Sequence, residues 1–177
     1  WQWNRPPATA LQSRSRYPWT SWRLRRGTRL EKLRILLVDD HAVLRSGLRL
    51  LINGQPDMTV AGEAATGDEA LVQSRSLRPD IVLLDISMPG GSGLDVIRLI
   101  RKDLPATRVL VLTMHEEEGY LRRALASGAA GYVPKSAADV EVLSALRAVA
   151  RGDIYIHPSH TKLLIDGMLP AAGASPG

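Results

Sequence analysis

From Arg34 onward, short apolar runs alternate with stretches in which apolar residues return every three to four positions. Ile35-Leu36-Leu37-Val38 is a continuous apolar run closed by Asp39-Asp40. A run of this kind suits a strand buried on both faces. A helix follows, with Val43, Leu44, Gly47, Leu48 and Leu51 on one face, and Gln55-Pro56-Asp57 breaks it. Met58 to Glu63 reads as a second strand, and Thr66-Gly67-Asp68 opens a second helix through Ala70, Leu71 and Ser74. Arg78-Pro79-Asp80 introduces a third buried strand, Ile81-Val82-Leu83-Leu84, which ends at Asp85. After the Gly- and Pro-rich loop Met88–Gly93, a helix carries Leu94, Ile97, Leu99, Ile100 and Leu104. Arg108 to Leu112 is a fourth strand ending at Thr113, and Tyr120 to Ser127 is helical, with Gly128 placed as its C-terminal glycine. Gly131-Tyr132-Val133 forms a short fifth strand closed by Pro134-Lys135. Asp139 to Ala150 is the last long helix, with Val140, Leu143, Leu146, Arg147 and Ala150 at helical spacing.

Five strand-to-helix alternations predict an α/β fold, a parallel sheet with helices on both faces. The pattern divides the chain into an arm (residues 1–33), a domain (34–152) and a trailing segment (153–177). In that last segment, residues 157–168 suit one short helix and 169–177 a flexible tail. The arm has no clean periodicity and is interrupted by Pro6, Pro7, Pro18 and Gly27, which predicts a disordered or loosely docked stretch.

Charge sharpens this division. Of the 23 Arg and Lys residues, nine lie in residues 1–34, against a single acid there, Glu31. The remaining 14 bases face 17 acids, so the domain is mildly acidic and the basic balance belongs to the arm. The domain has no excess positive charge for gripping nucleic acid. The arm alone could hold an anionic partner. Cysteine is absent, which excludes disulfides and thiolate metal sites. No apolar run is long enough to cross a bilayer, and the Trp- and Arg-rich start has no apolar stretch of the secretory kind. The expected setting is cytoplasmic, with no membrane partner.

The polar residues of interest stand where strands end: Asp39 and Asp40 after the first, Asp85 at the third, Thr113 at the fourth and Lys135 after the fifth. In an open parallel sheet these ends converge on the crevice where ligands bind. Each residue alone has a plainer use. An acidic pair after a strand can cap a helix, a Thr at a strand end can serve a turn, and Lys135 can be a solvated lysine. Their coincidence strand by strand points to one pocket. Crowded carboxylates call for a cation, and hard oxygen ligands suit Mg²⁺. A carboxylate nucleophile beside such a cation, an ammonium and a hydroxyl matches aspartyl-phosphate chemistry, in which positioning and charge stabilisation do most of the work.

Four segments carry a resemblance: ILLVDDHAVLRSGL (35–48), DIVLLDISMPGGSGL (80–94), VLVLTMH (109–115) and ASGAAGYVPKS (126–136). They are similar to the receiver domains of bacterial two-component response regulators of the NarL/FixJ (LuxR-type) family, over about residues 34–155. The resemblance implies a flavodoxin-like (CheY-like), doubly wound, five-stranded parallel sheet of order 2-1-3-4-5. It implies that Asp85 is the phosphoacceptor, that Asp40 binds Mg²⁺ directly with Asp39 acting largely through water, and that the backbone carbonyl of Ser87 completes the protein ligands. Thr113 and Lys135 would bind the phosphoryl group, and Tyr132 would be the aromatic that changes rotamer with Thr113 on activation. His41 matches the family but receives no catalytic role. Many receivers have proline directly after the lysine, whereas here Pro134 precedes Lys135 and Ser136 follows it.

The implied partner is a sensor histidine kinase, with a homodimer as the implied assembly and no enzyme activity of its own. Full-length members continue into a helix-turn-helix domain. IYIHPSHTKLL (154–164) resembles the linker to it, and no recognition helix is visible in the residues that follow. The expected output is transcription control through a DNA-binding domain outside this chain; a stand-alone receiver acting through protein contacts is the alternative. Two rivals from other classes are weaker. A Mg²⁺-dependent phosphohydrolase commonly has a second acid two residues after its Asp nucleophile, where this chain has Ser87. A flavin or nucleotide carrier needs a phosphate-cradling loop after the first strand, where Asp39-Asp40 would repel phosphate.

Overall fold

A computed structural model describes residues 31–89, 91–115 and 117–166. The arm up to residue 30 and the tail from 167 lie outside the described residues, as do Gly90 and Glu116. The elements in chain order are β1 (Leu33–Val38), α1 (Ala42–Asn53), β2 (Met58–Ala64), α2 (Gly67–Leu77), β3 (Ile81–Asp85), α3 (Gly93–Asp103), β4 (Arg108–Thr113), α4 (Glu118–Ala126), β5 (Gly131–Pro134), α5 (Ala138–Arg151), β6 (Tyr155–Ile156) and α6 (Pro158–Asp166). Lys135–Ala137 form a 3₁₀ turn between β5 and α5.

The sheet is parallel throughout, in the order β2-β1-β3-β4-β5-β6. The expected order 2-1-3-4-5 is present, extended by a two-residue strand at the β5 edge. Alternation along each strand sends neighbours to opposite faces. Leu36, Val38, Val82, Leu84, Val109, Val111 and Tyr132 meet residues of α2, α3 and α4 on one face. Leu33, Ile35, Leu37, Ile81, Leu83, Leu110, Leu112 and Val133 meet α1 and α5 on the other. All five residues of β3 are buried, as a strand covered on both faces requires.

Local chemistry sets the ends of the helices. The Thr66 hydroxyl accepts a hydrogen bond from Glu69 N at 3.2 Å and caps α2, a contact of about 1 kcal/mol. Gly128 and Gly152 follow α4 and α5 with φ of 99° and 101°, the left-handed conformation that closes a helix at little cost only with glycine.

Two helix faces differ from the expected ones. In α1 the buried positions are Leu48 and Ile52, with Leu44 and Leu51 partly buried, whereas Val43 is 88% exposed and Gly47 is exposed. In α5 the buried set is Ala138, Val142, Ala145, Leu146, Ala148 and Val149, and Val140 is 73% exposed. Both helices carry apolar residues around more than one face, so periodicity alone did not select the inward one.

Candidate functional site

The C-terminal ends of β1, β3, β4 and β5 bring the predicted polar residues to one edge of the sheet. Asp39 follows β1 and is buried, while the side chain of its neighbour Asp40 is about a third exposed. Asp85 is the last residue of β3 and Thr113 the last of β4, and both are buried. Lys135 opens the turn after β5, with its side chain only 7% exposed.

The Lys135 ammonium is the hub. Nζ donates to Asp85 Oδ2 at 2.7 Å and lies 2.7 Å from Asp39 Oδ2. The second contact is an ion pair, so one ammonium serves two buried carboxylates. Burial alone would lower the lysine pKa, but the carboxylates of Asp39 and Asp85 outweigh it and hold the ammonium above its usual value. The other oxygen of each acid is held by backbone two residues ahead: Asp85 Oδ1 accepts from Ser87 N at 2.7 Å, and Asp39 Oδ1 from His41 N at 2.7 Å.

Three carboxylates face one lysine ammonium in this pocket, so negative charge is in excess. The carboxylate oxygens of Asp39, Asp40 and Asp85 and a ring nitrogen of His41 lie within 4.8 Å of one another. Clustered hard oxygen donors in excess of the positive charge beside them fit a small divalent cation.

Thr113 shares no hydrogen bond with this ionic cluster among the described residues. Its hydroxyl accepts a hydrogen bond from His115 N at 3.0 Å and lies beside the Tyr132 phenol. Tyr132 is fully buried, and its hydroxyl donates to His115 O at 3.0 Å. Burial pushes the phenol up to about 12. The His115 ring stacks on Tyr120 at 4.0 Å, with the Arg123 guanidinium 4.5 Å from the Tyr120 ring centre. A hollow of about 290 Å³ opens between these rings and Ser87.

Two residues of the pocket had no role in the sequence reading. His41 Nδ1 lies 3.0 Å from Asp39 Oδ1, 3.0 Å from Asp40 Oδ1 and 3.3 Å from Lys135 Nζ. Its position next to the acidic pair was the available signal. Arg45 donates to the Asp39 carbonyl and to Glu63 Oε2, tying the start of α1 to β2. It sits one helical turn beyond His41, which marks it only once α1 is in place.

The Response regulator receiver domain family matches residues 35–147. The oxygen regulatory protein NreC of Staphylococcus carnosus is 42% identical over 142 residues, covering 80% of this chain and 65% of NreC. The chain thus spans a little under two thirds of that relative. A LuxR-family two-component response regulator from Aurantimonas sp. SI85-9A1 superposes with a TM-score of 0.74 at 36% identity, covering 77% of this chain and 98% of that one. The signal receiver domain of NarL from Mycobacterium tuberculosis superposes with a TM-score of 0.66 at 36% identity, covering 69% and 98%. With this sheet order and this alignment, the chain belongs to the response regulator receiver domains of the NarL/LuxR type.

Proposed function

We propose that Asp85 accepts a phosphoryl group from the phosphohistidine of a sensor histidine kinase, or from a small phosphodonor, and that the modified domain then changes its contacts to control transcription. The observation that carries this reading is the Lys135 ammonium held 2.7 Å from both Asp39 and Asp85 at the strand ends. Receiver-family membership supports it.

A carboxylate oxygen of Asp85 forms the new bond to phosphorus, the donor's bond to phosphorus breaks, and the leaving group keeps the electron pair and takes a proton. Asp39, Asp40, Asp85 and the Ser87 carbonyl are the residues that would hold Mg²⁺, which when bound neutralises charge on the entering phosphoryl group. Lys135 supplies the protein's own positive charge and moves from the carboxylate to the phosphoryl oxygens. Thr113 turns its hydroxyl from His115 N to the same anion. That turn frees the space beside the Tyr132 phenol and couples the new charge to a change of ring position.

Docking of a partner is supported by apolar surface beside the acidic residues. Val43, in the first turn of α1, and Val140, near the start of α5, are both largely exposed. We assign this surface to the kinase or to a second copy of the chain. Beyond residue 34 there are 14 bases against 17 acids, which gives the receiver domain no excess charge for nucleic acid, and we assign DNA contact to a helix-turn-helix domain of the full-length regulator. No helix among the described residues is long and apolar enough to cross a membrane, and a cytoplasmic setting follows from the proposed partner. Ser87 in the position of a general acid argues against phosphatase turnover.

The test is the intact mass after incubation with acetyl phosphate and Mg²⁺, beside the Asp85→Ala variant. A gain of one phosphoryl group in the parent alone, lost on chelating the metal, is the expected result. A folded parent that gains none overturns the proposal.

A further inference from the structure

His41 stands at the N-cap position of α1, yet its ring does not cap the helix. Its backbone is pinned on both sides: His41 N donates to Asp39 Oδ1 at 2.7 Å, and His41 O accepts from Arg45 N at 3.0 Å. With the backbone fixed, the ring turns over the acidic pair. Nδ1 lies 3.0 Å from Asp39 Oδ1, 3.0 Å from Asp40 Oδ1 and 3.3 Å from Lys135 Nζ.

A hydrogen bond would account for either carboxylate contact alone. A ring nitrogen carries at most one proton, however, and here one oxygen from each acid converges on it. A metal ion can serve all three atoms where a proton cannot. Donors bonded to one ion at about 2.1 Å stand roughly 3.0 Å apart at right angles and roughly 3.4 Å apart at tetrahedral angles. Both nitrogen-to-oxygen distances match the first arrangement, and one donor atom each from Asp39, Asp40, His41 and Asp85 fits within 4.8 Å. The His41 side chain is 64% exposed, so an ion from solvent reaches Nδ1 without disturbing the core.

A nitrogen in this donor set bears on which ion is held. Mg²⁺ takes oxygen donors and keeps several waters. Zn²⁺ and Ni²⁺ favour imidazole, whereas carboxylate and water suit Mg²⁺. We infer that His41 is a further metal ligand of this pocket, through Nδ1, and that it opens the site to Zn²⁺ or Ni²⁺ in competition with Mg²⁺. The inference rests on the proposed reading of Asp39 and Asp40 as metal ligands and deepens it; phosphorylation of Asp85 plays no part in it.

Zn²⁺ added to the full chain is the probe. The side-chain ¹⁵N signals of the four histidines, His41, His115, His157 and His160, report which nitrogen takes the ion. Zn²⁺ should move the Nδ1 signal of His41, and raising Mg²⁺ should return it. In calorimetry, His41→Ala should lose about tenfold or more in Zn²⁺ affinity while its Mg²⁺ affinity stays within about twofold of the parent's. Asp40→Asn should weaken both ions. Zn²⁺ that binds with the His41 signal unmoved overturns the inference, as does a His41→Ala variant with the parent's Zn²⁺ affinity. Zn²⁺ on His41 that excess Mg²⁺ does not displace, in a parent that binds Mg²⁺, overturns the shared site. A parent that binds no Mg²⁺ counts against the Mg²⁺ part of the proposed function, while the His41 signal still decides the ligand.

Discussion

The two sides of Asp85 are held by different forces. Toward β1, Asp39, Asp40, His41 and Lys135 form a knot of charge with short contacts and buried carboxylates. Toward β4 and β5, Thr113, His115, Tyr132 and His160 are joined by neutral hydrogen bonds and ring contacts. Charge in a low-dielectric pocket is expensive to leave unmatched, so the first side answers steeply to one added anion or cation. Neutral contacts are each worth about 1 kcal/mol, so the second side can rearrange with little loss. A sensor needs the first property and a transmitter the second, and the sheet places them on adjacent strands.

Removing the hub breaks the comparison hardest. Lys135→Ala leaves Asp39 and Asp85 buried without their ammonium, and the expected loss of stability is about 3 kcal/mol, read by urea unfolding at neutral pH with a chelator present. Millimolar Mg²⁺ should recover part of it, because a cation that binds only the folded state stabilises that state. A loss below about 0.5 kcal/mol would mean that solvent already screens this pocket.

A gentler change falls on the neutral side. Tyr132→Phe removes the hydroxyl bonded to His115 O and should cost about 1 kcal/mol. The same variant sharpens the alkaline behaviour. The Tyr132 phenol is raised from 10 to about 12 in the folded protein, so its contribution is fully present below pH 10 and disappears as pH rises through 12. Lys135, also raised, loses its contribution in the same direction, above the ordinary lysine value. Unfolding midpoints measured from pH 9 to 12 should fall less steeply in Tyr132→Phe than in the parent. Equal slopes would place the phenol in contact with water.

Strands β1, β3, β4 and β5 and the residues at their ends were legible because each carries an apolar run that a polar site residue closes, whereas β2 is interrupted by Thr59, Gly62 and Glu63 and stands out only as a short segment between two turns. Asp39, Asp85, Thr113 and Lys135 needed only strand ends to be located. What stayed hidden has physical reasons. Tyr155-Ile156 is too short for any period to register, and its pairing depends on the bare Gly131 across from it. His160 reads as a polar residue in a linker until α6 packs on α4. Val43 and Val140 sit at helical spacing from core residues, yet point outward, because spacing finds a stripe without saying which of two stripes faces the sheet. The hydrogen bond that occupies the Thr113 hydroxyl with His115 N was also out of reach, since strand order places a residue but not its hydroxyl.

The smallest expected effect lies away from both sides of Asp85 and serves as their control. Arg147 on α5 donates to both oxygens of Asp57, at 3.0 and 3.1 Å, and to Gln55 Oε1 at 3.0 Å, joining α5 to the α1–β2 loop. The hydrogen bonds from Arg147 hold the Asp57 carboxyl below its usual value. A depressed carboxyl stabilises the fold above its unfolded value near 4 and loses that contribution as pH falls through the lower, folded one. The Asp57 side chain is 49% exposed, so solvent screening limits the pair to about 0.5 kcal/mol. Asp57→Asn should therefore lower stability slightly at neutral pH and flatten its decline below pH 4, with phosphoryl uptake at Asp85 unchanged. A loss above about 2 kcal/mol would make this loop a structural support of the domain, and the ionic knot at Asp85 would no longer be the dominant electrostatic feature of the fold.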